Sequence, residues 1–368
     1  MCGIAGIISY TNSVNLNEVK SMTDVIAHRG PDGEGKWLNH SKTVGLGHRR
    51  LSILDLSEKG KQPMHYKNGR YTITFNGEVY NYIELRKTLE LKGYLFESDT
   101  DTEVLLALYD LKKEKCLEDL DGMFSFAIWD EKTEELFCAR DRFGEKPFYY
   151  NINDDKIIFA SEMKALFKVG ISQKKRLDRY YQYLMYNINE DPTDRTSTFY
   201  EDINQLKPSH YFIISKDKKP VQKKYWDIDL SHQIDISFTE AQVKFKELFE
   251  DSIKKRLRSD VPVGSSLSGG LDSSSIVLLI DQLKKEQQVQ KTFSARFKNF
   301  DKDEGEYMNY VIEKSSVDPH FVFPTAKSAL SNFKTIMYHQ EEPITSLSIA
   351  AQFEVMKLAK KNDVTVLQ

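Results

Sequence analysis

Val261-Pro-Val-Gly-Ser-Ser-Leu-Ser-Gly-Gly-Leu-Asp-Ser-Ser-Ser-Ile-Val277 decides how the second half of the chain folds. Its first part, Val261 to Leu267, is an apolar strand, and Asp272 to Lys284 carries the spacing of a helix. Between them two glycines let the backbone come close to a ligand, and the successive N–H groups of a helix N-terminus attract an anion. The serine hydroxyls add donors, while Asp272 can either cap the helix or hold Mg2+ on bound phosphates. The terminal Gly-Lys-Ser/Thr of the common P-loop is missing. Taken alone, Gly-Gly-Leu-Asp-Ser also reads as a glycine turn followed by an Asp N-cap. The strand–loop–helix setting favours a phosphate loop.

Outward from this stretch the same alternation continues. Strands are predicted at Thr292 to Phe297, His320 to Phe323 and Val364 to Leu367. Helices are predicted at Phe238 to Leu257, Tyr307 to Lys314, Thr325 to Tyr338 and Ile349 to Lys360. Strand and helix taking turns indicate a doubly wound parallel sheet. The first half reads differently. Ile4 to Ser9, Tyr71 to Phe75, Met123 to Trp129 and Glu135 to Ala139 are strand-like, and Asn76-Gly77 is a strong turn dipeptide after the second of them. Tyr80 to Leu91 and Thr102 to Lys113 carry helical spacing. Many strands, few helices and no βαβ rhythm predict an α+β domain with largely antiparallel sheets. The polar stretch Lys216 to Gln222 is the expected junction.

With 368 residues, 40% hydrophobic and 29% charged, the chain has the profile of a two-domain globular protein. Its net charge of −3 leaves no basic surplus for a phosphate backbone, which argues against a nucleic-acid partner. The longest apolar stretch, Ile276 to Ile280, is far too short to span a membrane, and Met-Cys-Gly-Ile-Ala-Gly is no secretory signal. Cys2, Cys116 and Cys138 form no CxxC or Cys/His cluster, so a reducing cytoplasm is expected and a zinc site is not.

Cys2 is the sharpest clue in the first half. Loss of Met1 would give it a free α-amine, and an α-amine titrates near enough to neutrality to act as a base. Nucleophile and base then share one residue. Alone, Cys2 also reads as a small buried residue at a chain start. It is followed, however, by His28-Arg-Gly-Pro-Asp32, Gly47-His-Arg-Arg-Leu-Ser-Ile-Leu-Asp55, Phe75-Asn-Gly-Glu-Val-Tyr-Asn81 and Ser98-Asp-Thr-Asp-Thr-Glu103. Asp121-Gly-Met-Phe-Ser-Phe-Ala127 and Ala139-Arg-Asp-Arg-Phe-Gly144 complete the series. In this order and spacing the set closely resembles the class II glutamine amidotransferases.

The resemblance implies a role for each matching position. Cys2 attacks the glutamine side-chain amide, and the Asn76 amide with the Gly77 N–H forms the oxyanion hole. Arg50 clamps the α-carboxylate, within a glutamine-binding run of Arg50, Leu51, Ser52, Ile53 and Leu54, and Glu78 and Asp101 hold the ammonium. Arg49 and Asp99 are the neighbouring alternatives; register with Leu51-Ser52 favours Arg50, and the following Thr102-Glu103 favours Asp101. His28 and His48 read as structural.

The second-half loop resembles that of the ATP pyrophosphatases, which implies that Leu267, Ser268, Gly269, Gly270, Asp272, Ser273 and Ser274 face ATP and that Phe293 to Ala295 lies against adenine. An amidotransferase followed by this loop is the asparagine synthetase arrangement, a resemblance that includes Phe159-Ala-Ser-Glu-Met-Lys-Ala-Leu166 and Lys207-Pro-Ser-His-Tyr211. It implies a four-layer αββα glutaminase domain of Ntn-hydrolase type over residues 2–215, a linker over 216–236 and an ATP-pyrophosphatase domain over 237–368. It further implies glutamine, ATP and aspartate as substrates, Mg2+ held by Asp272, and no bound organic cofactor. In that family ammonia crosses an internal tunnel to β-aspartyl-AMP, giving asparagine, AMP and diphosphate. The acidic, glycine-rich loop expected after Val366-Leu-Gln368 is not in the sequence, so an incomplete synthetase half with an active glutaminase is expected. Two other readings stay open: amidation of a different carboxylate, with acceptor contacts around Glu341 to Thr345, and a degraded, non-enzymatic subunit. The oligomeric state, a homodimer included, is open as well.

Overall fold

The structure is a computed structural model that describes residues 1–215, 220–284, 289–298 and 300–368. The expected junction begins on Lys216 to Lys219, which lie outside the described residues. The chain divides into two compact units, Met1–Ser231 and His232–Gln368.

The first unit opens with β1 (Gly3–Ser9), α1 (Leu16–Val25), β2 (Gly33–Leu38) and β3 (Val44–Arg50). Next come β4 (Met64–Tyr66), β5 (Tyr71–Val79), α2 (Tyr82–Glu90), α3 (Asp101–Lys112), β6 (Gly122–Asp130) and β7 (Glu135–Arg140). It closes with β8 (Tyr149–Ile152), β9 (Lys156–Ala160), α4 (Met163–Phe167), α5 (Leu177–Tyr186), β10 (Asn204–Gln205), β11 (His210–Ile214) and β12 (Lys223–Lys224). Two antiparallel sheets result, in the orders β10-β8-β9-β1-β3-β2 and β12-β11-β7-β6-β5-β4.

Side-chain alternation sets the layers. Ile4 and Ile8 of β1 join Ala127, Trp129, Leu136 and Cys138 of β6 and β7 in the core between the sheets. Ala5 and Ile7 turn the other way, against Val19 and Met22 of α1 and Met163 and Leu166 of α4. Phe124, Phe126, Ile128, Phe137 and Ala139 face outward from the second sheet onto Val104, Leu105 and Leu108 of α3. Helix, sheet, sheet, helix is the expected four-layer order. The central strands are apolar on both faces because both faces are covered.

One local expectation fails. Asn76-Gly77 is no turn: it lies inside β5, where Asn76 is opposite Ser125 and Gly77 opposite Phe124 of β6. The dipeptide's local preference yields to a nine-residue ladder. Glycine is needed at 77 for closeness, since a Cβ there would come within 2.2 Å of the Met123 carbonyl oxygen and 2.6 Å of Phe124 Cα.

The second unit runs α6 (Phe238–Arg256), β13 (Val263–Ser266), α7 (Leu271–Leu283), β14 (Gln290–Ala295), α8 (Gly305–Glu313) and β15 (Val317–Val322). It ends with α9 (Ala326–Gln340), α10 (Ser348–Lys361) and β16 (Val366–Leu367). The sheet is β15-β14-β13-β16, parallel at every pair, with Pro319 on its edge strand β15. Val277 of α7 and Met308 and Val311 of α8 pack with Leu267. Val355 and Ala359 of α10 pack on Phe293 and Val364 in a separate cluster. Helices cover both faces, as a doubly wound sheet requires. In order of appearance the strands lie 3-2-1-4, so the winding reverses between β13 and β16. Ligands of open α/β sheets bind at the carboxyl ends of strands at such a reversal.

No helix among the described residues is long and apolar enough to cross a membrane.

Candidate active site

Cys2 sits immediately before β1, whose first residue pairs with Arg49 of β3. That pairing brings Cys2 to the turn leaving β3, where its Sγ accepts a hydrogen bond from Leu51 N–H at 3.4 Å and lies 3.6 Å from Leu51 O. Arg29 Nε donates to the Cys2 carbonyl at 2.8 Å. Arg29 is itself held at 3.0 Å by Glu162, which also meets His28 Nε2 at 3.0 Å and Lys164 Nζ at 2.5 Å. Burial, aided by the Asp101 charge, pushes the Cys2 thiol above its ordinary pKa, against the Leu51 hydrogen bond and the Arg29 charge. Burial also pulls the Met1 α-amine down to about 6. Both shifts come from burial and favour the neutral forms of the Cys2 thiol and the Met1 α-amine; the Cys2 nitrogen itself lies in the peptide bond to Met1.

β5 supplies the groups that face this thiol layer. Thr74 on the inner face donates to Gly47 O of β3 at 2.9 Å, tying the sheets together. Asn76, two residues on, has no solvent exposure, and neither its Nδ2 nor its Oδ1 has a partner. Buried amides are nearly always satisfied, so one orphaned at both ends is open to a water or a bound group. Along the strand, Phe75 N–H donates to Gln62 and Val79 N–H to Asp101, both away from β6. By the two-residue repeat, the Gly77 N–H points toward that same edge.

Asp101, at the first position of α3, receives Val79 N–H at 2.8 Å and is buried, and that burial raises its carboxyl to about 6. Glu78, also buried, neighbours it. The alternative Asp99 is exposed and pairs with Arg86 at 3.3 Å. Arg49 is committed to Asp24 at 2.6 Å and Glu34 at 2.9 Å. Arg50 emerges on the other face of β3, where Nη1 donates to Ser57 O at 2.8 Å and Nη2 to the carbonyls of Asp55 and Leu54. These bonds wrap the loop of Leu51, Ser52, Ile53 and Leu54 around the guanidinium, with Ser52 N–H on Asp32. His48 is buried, its Nε2 at 3.0 Å from Phe75 O, and burial drops its pKa to about 3. It is neutral and structural.

In the second unit the loop between β13 and α7 is prearranged by its own hydroxyls. Ser268 Oγ accepts Gly270 N–H at 3.3 Å and lies 3.0 Å from Ser273 Oγ, which accepts Ser268 N–H at 3.2 Å. Gly269 has φ +87°, and a Cβ on it would lie 2.8 Å from Glu304 O. Gly270 is the N-cap and makes no side-chain cap bond, which overturns the capping role for Asp272. Asp272 falls inside the helix, and its exposed carboxylate has no partner among the described residues. Ser274 follows it in the first turn. Ala295 ends β14 beside the loop, while Leu267 turns its side chain into the core and gives its C=O to Ser294 Oγ at 2.6 Å.

Comparison with known proteins places both halves. A glutamine amidotransferase domain family matches residues 1–226, and an asparagine synthase family matches residues 244–368. The chain is 34% identical to the putative glutamine-hydrolysing asparagine synthetase 2 of Methanocaldococcus jannaschii, over 100% of the chain and 73% of that protein. The chain belongs to the asparagine synthetase family. Two Bacillus subtilis members, glutamine-hydrolysing asparagine synthetases 1 and 3, are 35% and 40% identical over 98% and 76% of the chain. The chain spans 56% and 45% of their lengths.

Sequence reasoning left three residues of the candidate site in this asparagine synthetase family member unassigned. Arg29 and Glu162 lie in stretches recognised as motifs, but only the fold shows that Glu162 holds Arg29 and Arg29 the Cys2 carbonyl. Lys146, just past the Arg140-Asp-Arg-Phe-Gly144 stretch, reaches the chain start as well. Each has a charged, polar or glycine neighbour in sequence, as Lys146 follows Glu145, so local composition carried no signal.

Proposed function

We propose that the first unit hydrolyses glutamine at Cys2 and that the enzyme uses the released ammonia to make asparagine from aspartate and ATP. The observation that carries this reading is the fully buried, unpartnered Asn76 amide on the strand beside Cys2. With Met1 removed, the Cys2 α-amine takes the thiol proton as Sγ attacks the glutamine amide carbon. Asn76 Nδ2–H and Gly77 N–H take the developing oxyanion. The protonated amine returns its proton to the leaving nitrogen, ammonia departs, and water releases glutamate from the thioester. Asp101 and Glu78 hold the substrate ammonium, Asp101 being ionised at neutral pH. Arg50 takes the α-carboxylate.

The loop Ser268-Gly269-Gly270 and the first turn of α7, with Ser273 and Ser274, offer N–H and hydroxyl donors to the ATP phosphates at the sheet's reversal point. The Asp272 carboxylate, without a partner among the described residues, fits Mg2+, which takes one or two carboxylates and keeps the phosphates as its other ligands. Such an ion would neutralise phosphate charge as the adenylate forms. Three unpaired cysteines suit a cytoplasmic setting.

Intact mass of the purified protein should show Met1 absent, and glutamine should yield glutamate and ammonia. The intact product of the gene, given ATP, Mg2+ and aspartate, should form AMP, diphosphate and asparagine in equal amounts. Full glutaminase activity with Met1 retained would refute the base assignment, and diphosphate release indifferent to aspartate would refute the acceptor.

Arg50→Ala should weaken glutamine binding about ten- to hundred-fold, the worth of one charge-assisted contact at about 1.5–3 kcal/mol, with a smaller effect on kcat. Titration calorimetry checks this; an unchanged Kd removes Arg50 from the clamp.

A further inference from the structure

The stretch Arg140-Asp-Arg-Phe-Gly144 has no part in the mechanism above, yet it is densely bonded. The Asp141 carboxylate collects the N–H groups of Phe124 at 3.2 Å, Phe143 at 3.1 Å, Glu145 at 2.9 Å and Lys146 at 2.9 Å. Arg140 donates to the Lys146 carbonyl at 2.7 Å and to Gly144 O at 2.7 Å. Both backbone polar groups of Lys146 are therefore pinned, and the next carbonyl, Pro147 O, accepts Ser125 Oγ at 3.0 Å. All this order delivers one side chain.

That side chain is 5% exposed, and its Nζ rests 3.3 Å from Met1 Sδ. Among the described residues its ammonium has no carboxylate in ion-pair contact. A buried ammonium facing only a thioether is costly, and burial holds its pKa below that of free lysine. The charged groups facing the Met1 α-amine, one residue before the Cys2 nitrogen, come from separate parts of the first unit: Arg29 before β2, Glu78 on β5, Lys146 before β8, and the Cys2 thiol itself. Asp101 of α3 faces the thiol. Arg29 is matched at close range by Glu162, whereas Lys146 is opposed only at longer range, by Glu78, Glu145 and Asp141.

We propose that Lys146 is a positioning residue of the glutaminase site, whose ammonium, aimed at the chain start, disfavours a second positive charge on the Cys2 α-nitrogen. That nitrogen is then free to take the thiol proton and pass it to the departing ammonia. Loss of Met1 also removes the sulfur against which the ammonium rests. The inference rests on Cys2 acting as its own base.

The test is the pH profile of glutamine hydrolysis by the whole chain. In the parent the acidic limb of kcat/KM should lie well below 8, the ordinary value of an α-amine. Lys146→Met, close in shape and uncharged, should move that limb up by about one to two pH units, the usual effect of one nearby charge. At neutral pH this reads as roughly a tenfold or greater loss. Lys146→Arg should keep the parent limb. A Lys146→Met limb that does not move, or a change confined to KM, overturns the proposal. So does a parent limb at about 8, which decides the matter even where the variant folds poorly. A parent that retains Met1 or fails to hydrolyse glutamine sinks the glutaminase reading itself, a different result.

Discussion

The Asn76→Ala protein turns over glutamine about 10²–10³-fold more slowly than the parent, the loss that follows removal of one oxyanion donor, and it melts no lower. The two halves of this result have one cause. In the free protein both ends of the Asn76 amide are buried without a partner. Burying such a group costs about 1–3 kcal/mol. Alanine returns that cost and loses some packing in exchange, so the net change in stability is small. Glutamine turnover loses a donor that meets full negative charge only in the transition state, so kcat falls while KM moves little. Steady-state kinetics and a thermal melt on the same preparation decide it. A steep fall in Tm would make Asn76 a structural residue, and an unchanged kcat would place the oxyanion elsewhere.

Glu162→Gln lowers the stability of the first unit by about 3–5 kcal/mol, the cost of stripping the counter-charge from a buried cationic cluster. Arg29 and Lys164 are left facing each other with His28, with 9% and 8% of the Arg29 and Lys164 side chains exposed. Burial alone would raise the Glu162 carboxyl. The His28 hydrogen bond and the charges of Arg29 and Lys164 outweigh it and hold it far below the usual carboxylate range. A depressed folded pKa contributes stability above the unfolded value and loses it as pH falls through the folded one. The gap in Tm between parent and variant should therefore be full at pH 7 and persist to about pH 4.5, closing only in stronger acid. Melts across that range test it, and a gap that closes by pH 6 would assign the effect to another group. Arg29 also holds the Cys2 carbonyl, so turnover should fall in the same variant.

The second unit was legible almost element by element, because strand and helix alternate there with ordinary punctuation. Boundaries moved by a few residues, as at α8, which begins at Gly305 and not Tyr307. The first unit was legible mainly through its motifs. Gly47-His-Arg-Arg50 opens a stretch that stands out as a motif, yet it is the end of strand β3, which is fitted by glycines against α1 and lacks the alternation of a half-exposed strand. Asn76-Gly77 misleads for the related reason that its partner, β6, is more than forty residues away in sequence. Residue types identified the candidate nucleophile and clamp. What they did not convey is company: which arginine already has two carboxylates, which aspartate is in water, and which lysine is locked against the chain start. Those facts belong to the packing of distant segments.

Chain termini ordinarily fray, and a nucleophile at the second residue invites the expectation of a loose end. Here β1 is an inner strand, hydrogen-bonded to β3 on one side and β9 on the other, with a packed layer on each face. Cys2 is hitched to it and, through its sulfur, to Leu51. Local opening at a chain end needs little free energy when only a few contacts hold it, but this end opens only with the sandwich. The amide protons of Ile4 to Ile8 should accordingly exchange with solvent among the slowest in the unit.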